Sequence, residues 1–122
     1  MGLFKAPEWI NDFAFDYQKA CDIPQNVFDE INVGLDRLQT DNPLVTILIS
    51  AWNEEVNILR CIASLSKQKT NIPIEIIIVN NNSHDNTQYT IDRFHVRSLF
   101  QGIHGCGPAR QLGQENAKGK YI

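Results

Sequence analysis

Apolar and polar positions along this chain fall into two rhythms. Residues 44–49 (LVTILI) and 74–79 (IEIIIV) are almost unbroken apolar runs, and each stops abruptly at a polar cluster, 50–55 (SAWNEE) and 80–87 (NNNSHDNT). Short runs rich in Val, Ile and Leu read as parallel strands buried on both faces, because neither face then needs polar positions. Open parallel sheets bind ligands outside the carboxyl ends of their strands. Both polar clusters fall at that edge, which is where a ligand site is expected.

Between the runs the rhythm becomes helical. Val27, Phe28, Ile31, Leu35 and Leu38 recur at three- and four-residue spacing after Pro24 and predict a helix over 25–39, weakened but not forbidden by Gly34. Residues 1–42 form an N-terminal helical extension closed by the turn-like cluster Thr40 to Pro43. In that extension Trp9, Phe13 and Tyr17 lie four apart on one helical face. Packing on the domain suits the stripe better than a membrane surface, because Glu8, Asp12, Asp16 and Asp22 outnumber Lys5 and Lys19.

From residue 43 to 122 the pattern predicts a helix over 54–67, with Ile58, Ile62 and Leu65 on one face and Cys61 beside them. A helix over 84–94 follows, with Ser83 as N-cap and Asp85 supporting its start, then a weak strand over 96–100. A glycine-rich loop from Gly102 leads into a helix that opens at Pro108 and ends near Lys118 and Gly119, and Tyr121 and Ile122 look like the opening of another strand. This order of elements is that of an α/β fold, a mostly parallel sheet with flanking helices joined by right-handed crossovers.

Composition narrows the chemistry. A chain of 122 residues, 43% hydrophobic and 20% charged, is one globular domain or a part of one. Its formal net charge of −3, without a basic cluster, gives no electrostatic reason to expect nucleic acid as the main partner, though it leaves room for a small local basic site. Cys21, Cys61 and Cys106 have no metal-ligand spacing and read as reduced thiols, small buried hydrophobes. His84, His95 and His104 also lack ligand spacing and read as surface or partly buried residues. The glycines at 102, 105 and 107 miss the G-x-G-x-x-G spacing and no Gly-Lys-Ser/Thr loop occurs, so dinucleotide-dehydrogenase and P-loop readings fall away. With neither a signal-peptide pattern nor an apolar run of about 18 residues, the expected location is cytoplasmic.

Residues 45–55 (VTILISAWNEE), 75–87 (EIIIVNNNSHDNT) and 107–122 (GPARQLGQENAKGKYI), in that order and spacing, resemble the family 2 glycosyltransferases, nucleotide-sugar-dependent enzymes of the GT-A fold. The resemblance implies a Rossmann-like GT-A half-domain over residues 43–122. It implies further that Ser50, Trp52, Asn53 and Glu54 line the base and ribose of a donor nucleotide, that Asn81 faces the base edge, and that Arg110 lies near the diphosphate. Plainer uses stand beside these: Trp52 as an ordinary packed side chain, Asn53 and Glu54 as helix-initiating residues, Arg110 as a solvated cation, and Asn80 and Asn82 as turn formers. Where the family usually has at least one aspartate, this chain has Asn80 and Asn81. A carboxylate only accepts hydrogen bonds whereas an amide also donates, so both uracil and guanine remain open as the base.

The activity implied is inverting transfer of a sugar from a UDP- or GDP-linked donor to an acceptor hydroxyl on a glycan or lipid-linked saccharide. Family members hold Mn or Mg through an Asp-x-Asp motif, which is absent here, and no residue of this chain is assigned a catalytic or metal-ligating role. The chain is therefore expected to be the donor-nucleotide-binding part of a longer transferase, cut before that motif and inactive alone. The full protein is expected at the inner face of the membrane as a peripheral protein. An exposed strand edge adds homodimerisation as an expectation. The alternative is a nucleotide-binding or oligomerising module without catalysis.

Overall fold

A computed structural model describes residues 15–122. A single 3-10 turn, Ala20–Asp22, precedes helix α1, Gln25–Leu38. Strand β1 (Val45–Ala51), helix α2 (Asn57–Ser66), strand β2 (Ile74–Asn80), helix α3 (Thr87–Asp92), strand β3 (Arg97–Phe100) and helix α4 (Cys106–Asn116) follow. The strands form a parallel sheet in the order β1-β2-β3, with Val45 opposite Ile74 and Ile77 opposite Arg97. After α4 the chain crosses to the free edge of β1, where Tyr121 makes a parallel bridge to Val45. The Tyr121 amide donates to Leu44 O at 3.0 Å and the Thr46 amide to Tyr121 O at 2.8 Å. The direction of strand addition thus reverses at β1, the position at which open α/β sheets form their ligand crevice.

All seven positions of β2 are buried, which explains the unbroken apolar run: helices cover both faces of the central strand. Successive side chains point to opposite faces. Val45, Ile47, Ile49, Ile74, Ile76 and Ile78 therefore meet Phe28, Ile31 and Leu35 of α1 and Ile58, Leu59 and Ile62 of α2. On the other face Leu48, Ile77, Val79 and Leu99 pack on Ala109 and Leu112 of α4. Gly34 earns its place in α1 by close approach: a Cβ there would lie 2.3 Å from Ser66 O at the end of α2.

Beneath α4, at the amino end of the sheet, Glu75 is a buried polar junction, 7% exposed. Its Oε1 accepts from the Thr46 hydroxyl at 2.7 Å and the Lys118 amide at 2.6 Å, and its Oε2 lies 3.7 Å from Arg97 Nη1. The Gly119 amide donates to Thr46 Oγ1 at 3.0 Å, so three strands and the returning chain meet at one carboxylate.

Several expectations are corrected in detail. Helix α2 starts at Asn57, not 54, and α3 starts at Thr87, not 84. Ser83 does not cap α3, because its hydroxyl accepts the Asn53 amide at 3.0 Å. Asp85 does support the start of α3, accepting from the Thr87 amide at 2.9 Å. Helix α4 opens at Cys106, which makes Pro108 its third residue, and it ends at Asn116. Cys21, Cys61 and Cys106 are all exposed rather than buried, since each sits on an element's outer side or at its start. Phe15 and Tyr17 do pack against the core, but Tyr17 lies in a non-helical segment, and Trp9 and Phe13 are outside the described residues.

Candidate functional site

The alternation that sends Thr46 and Leu48 toward α4 also sends Ser50 and Trp52 to that side as β1 runs out. With the loop after β2 and the first turns of α4 they enclose a cleft of about 660 Å³. It is lined by Leu48, Ser50, Trp52, Glu54, Asn81, His104, Gly105, Cys106, Arg110, Gln114 and Ile122. Of the expected residues, Ser50, Trp52, Glu54, Asn81 and Arg110 converge there, drawn from three separate stretches of chain. Asn53 is not among the lining residues.

Asn53 instead joins the two strand-end loops. It occupies the left-handed region at φ 51°, a conformation asparagine tolerates better than most residues. From it the amide donates to Ser83 Oγ and the side-chain oxygen accepts the His84 amide at 2.8 Å. The Glu54 amide donates to Thr87 Oγ1 at 2.8 Å and the Glu55 amide to Asp85 Oδ2 at 3.4 Å, extending the tie. Glu54 does not cap α2; its carboxylate accepts from Asn57 Nδ2 at 2.9 Å at the cleft's margin. Asn82 is left-handed too, at φ 58°, and Asn80 Oδ1 accepts the Ser83 amide at 3.1 Å, both in keeping with turn formation.

Trp52 is 47% exposed and its ring lies 5.0 Å from that of His104, the planes inclined by 59°. A large apolar ring held half in solvent by a neighbouring ring offers a flat surface for a planar ligand. Asn81 is 3% exposed, and its side-chain amide is committed within the chain. Nδ2 donates to Gln101 O at 3.2 Å and Ile103 O at 2.8 Å, and Oδ1 accepts the Gly105 amide at 2.9 Å. Both donors are spent, so the expectation that Asn81 donates to a base is corrected: a lone pair on Oδ1 is what it has left.

Arg110 is the fifth residue of α4, exposed, and has no ion-pair partner among the described residues. Of the backbone amides from Gly105 to Ala109 at the start of α4, that of Gly105 is taken by Asn81, that of Ala109 reaches Gly105 O at 3.4 Å, and Pro108 has none. The amides of Cys106 and Gly107 are left at the helix N-terminus, next to Gly105 at φ 133°. The cleft thus combines an aromatic surface, a free guanidinium and helix-terminal donors, a set suited to a planar base joined to an anion. Sequence reasoning missed His104 as a lining residue. Its one signal was its position in the glycine-rich loop, and its contact with Trp52 spans the sheet edge.

Among the described residues no group of three His, Cys, Asp or Glu side chains converges to hold a metal ion. The described side chains do not supply the ligand set of a Mn or Mg site. No helix among the described residues is long and apolar enough to cross a membrane.

A parallel sheet whose order reverses beside a base- and anion-suited cleft defines a Rossmann-like α/β protein of the GT-A half-domain type. A family model described as Glycosyl transferase family 2 matches residues 46–122. The chain is 36% identical over 87 residues to the Bacillus subtilis (strain 168) protein EpsH, named as a glycosyltransferase, covering 67% of this chain and 25% of that protein. It is 36% identical over 83 residues to YibD of Escherichia coli (strain K12), also named as a glycosyltransferase, covering 64% of this chain and 24% of that protein. A Rickettsia bellii (strain RML369-C) glycosyltransferase is 33% identical over 91 residues, covering 71% of this chain and 13% of that protein. The chain belongs to glycosyl transferase family 2, and its matched part spans about a quarter or less of the length of these relatives.

Proposed function

We propose that the cleft binds the nucleotide of a UDP- or GDP-linked sugar, as the donor side of an inverting glycosyltransferase. The observation that carries this is that Arg110, without an ion-pair partner among the described residues, shares one cleft with the half-exposed Trp52 at the reversal point of the sheet. In this reading Trp52 stacks on the base, Ser50 and Glu54 meet the ribose, and Arg110 with the amides of Cys106 and Gly107 holds the diphosphate. Transfer to a glycan or lipid-linked saccharide belongs to the whole protein. The described residues lack a ligand set for the divalent ion expected in the family, so this chain alone is read as inactive, and no step is routed through a metal. The same reading puts the whole protein in the cytoplasm, peripheral at the inner face of the membrane where its acceptor is lipid-linked.

Calorimetric titration with UDP and GDP, with and without manganese, tests it. Trp52→Ala is expected to weaken binding by about five- to a hundredfold, the range spanned by a base–aromatic stack. Arg110→Ala should weaken the diphosphate and leave the nucleoside unchanged. No heat with either nucleotide would sink the assignment. A second reading, an oligomerising module, is favoured by one feature: β3 pairs only with β2 among the described residues, and Phe100 and Ile103 beside that free edge are 60% and 67% exposed. Sedimentation equilibrium is expected to show a homodimer on this reading and a monomer otherwise.

A further inference from the structure

The Asn81 side chain makes three hydrogen bonds in the cleft wall, all to one short segment, while its backbone amide donates to Ala51 O of β1 at 2.8 Å. Its Nδ2 donates to Gln101 O and Ile103 O and its Oδ1 accepts from Gly105, so its partners bracket His104 on both sides. His104 in turn rests on Trp52 with ring centroids 5.0 Å apart. Rings at that separation and a 59° inclination touch each other. No base fits between them, and a planar ligand would lie against the outer surface of the joined pair.

The residue type at 81 follows from these partners. A carboxylate has no proton to donate and would face the carbonyl oxygens of Gln101 and Ile103 across about a hydrogen-bond length, repelling the segment that the amide holds. Asn81 is almost fully buried, so water cannot readily take over the broken bonds.

We propose that Asn81 is a positioning residue acting through His104: its amide fixes the 101–105 segment so that His104 buttresses Trp52, and the donor's base meets the Trp52–His104 pair instead of the Asn81 amide. The base contact rests on the nucleotide reading of the cleft; the positioning role does not.

The full chain in a Trp9→Phe background makes Trp52 the sole tryptophan. Its quenching by acrylamide is expected to rise about twofold in Asn81→Asp and in His104→Ala, and to stay at the parent value in His104→Phe, which restores an aromatic neighbour. Unchanged quenching in His104→Ala, or in a folded Asn81→Asp, would overturn the positioning role. Should Asn81→Asp not fold, hydrogen exchange of the Gly105 amide in the parent chain decides: protection is expected, and an amide exchanging at the free-loop rate refutes the bond. For UDP or GDP binding, Asn81→Asp and His104→Ala should each weaken affinity about tenfold, and the double variant no more than either. A combined loss near a hundredfold would mean that Asn81 reads the base independently. If the parent chain binds no nucleoside diphosphate, the base contact falls with the nucleotide reading, and quenching and exchange decide the positioning role by themselves.

Discussion

Glu75 is the residue on which the amino end of the sheet depends. Burial alone would raise its pKa, but the Lys118 amide, the Thr46 hydroxyl, the Arg97 guanidinium and the Gly119 amide together hold it below the ordinary glutamate value of 4.5. The folded chain therefore binds this proton more weakly than the unfolded chain, and protonation favours unfolding. The stabilisation from Glu75 is complete above pH 4.5 and drains away as pH falls through the depressed folded value. Glu75→Gln, which exchanges one acceptor oxygen for a donor facing donors, should cost about 1–3 kcal/mol at neutral pH. Thermal unfolding from about pH 6 to pH 3 should show the gap between parent and variant closing toward the acid end. A gap that stays constant with pH would remove the carboxylate's charge from the account.

At the scale of elements, the packing of α1 on α2 sets a small contest between propensity and space. Gly34→Ala would favour an isolated helix by about 1 kcal/mol. Its Cβ, however, would meet Ser66 O at 2.3 Å and Ser66 Cβ at 2.9 Å, and overpacking against backbone costs about 1–3 kcal/mol. Chemical denaturation should find Gly34→Ala net destabilised, whereas Gly107→Ala, whose Cβ meets nothing within 4 Å, should be neutral or slightly stabilised. The same distinction explains what could be read from the chain beforehand. Helix α1 and strands β1 and β2 were legible because burial on one or two faces writes itself into apolar periodicity. The roles of Ser83, Asn53 and Asn81 were not, because their partners lie about 20 to 31 residues away and are chosen by how the loops meet. Cys61 shows the limit of periodicity itself: it flanks the apolar stripe of α2, and a small rotation of the helix decides whether such a residue is covered. The cleft's location was legible from the two strand ends; its wall at His104 was not.

For the molecule as a whole, the two ends of the sheet are built differently. At the carboxyl end the loops after β1 and β2 are bound to each other through Asn53, Ser83 and His84 and through Glu54 and Thr87. At the amino end the connection from Lys67 to Ile72 is exposed, and beyond Gln68 it is held by the local bond from the Ile72 amide to Thr70 Oγ1. Lengthening a loop is cheap, roughly 0.6 kcal/mol per doubling, unless its bonds are broken. A short Gly/Ser insertion between Lys69 and Thr70 should leave the melting temperature within a few degrees and nucleotide affinity unchanged. The same insertion between Ser83 and His84 should abolish binding and lower stability by about 1–3 kcal/mol, from two broken ties. Equal effects at both places would contradict the asymmetry. The untied connection also lies at the end of the sheet opposite the cleft. A fluorophore, a fusion partner or a surface tether attached at Thr70 would leave the cleft open to solution, making this the natural handle for immobilising the chain while ligands are offered to the cleft.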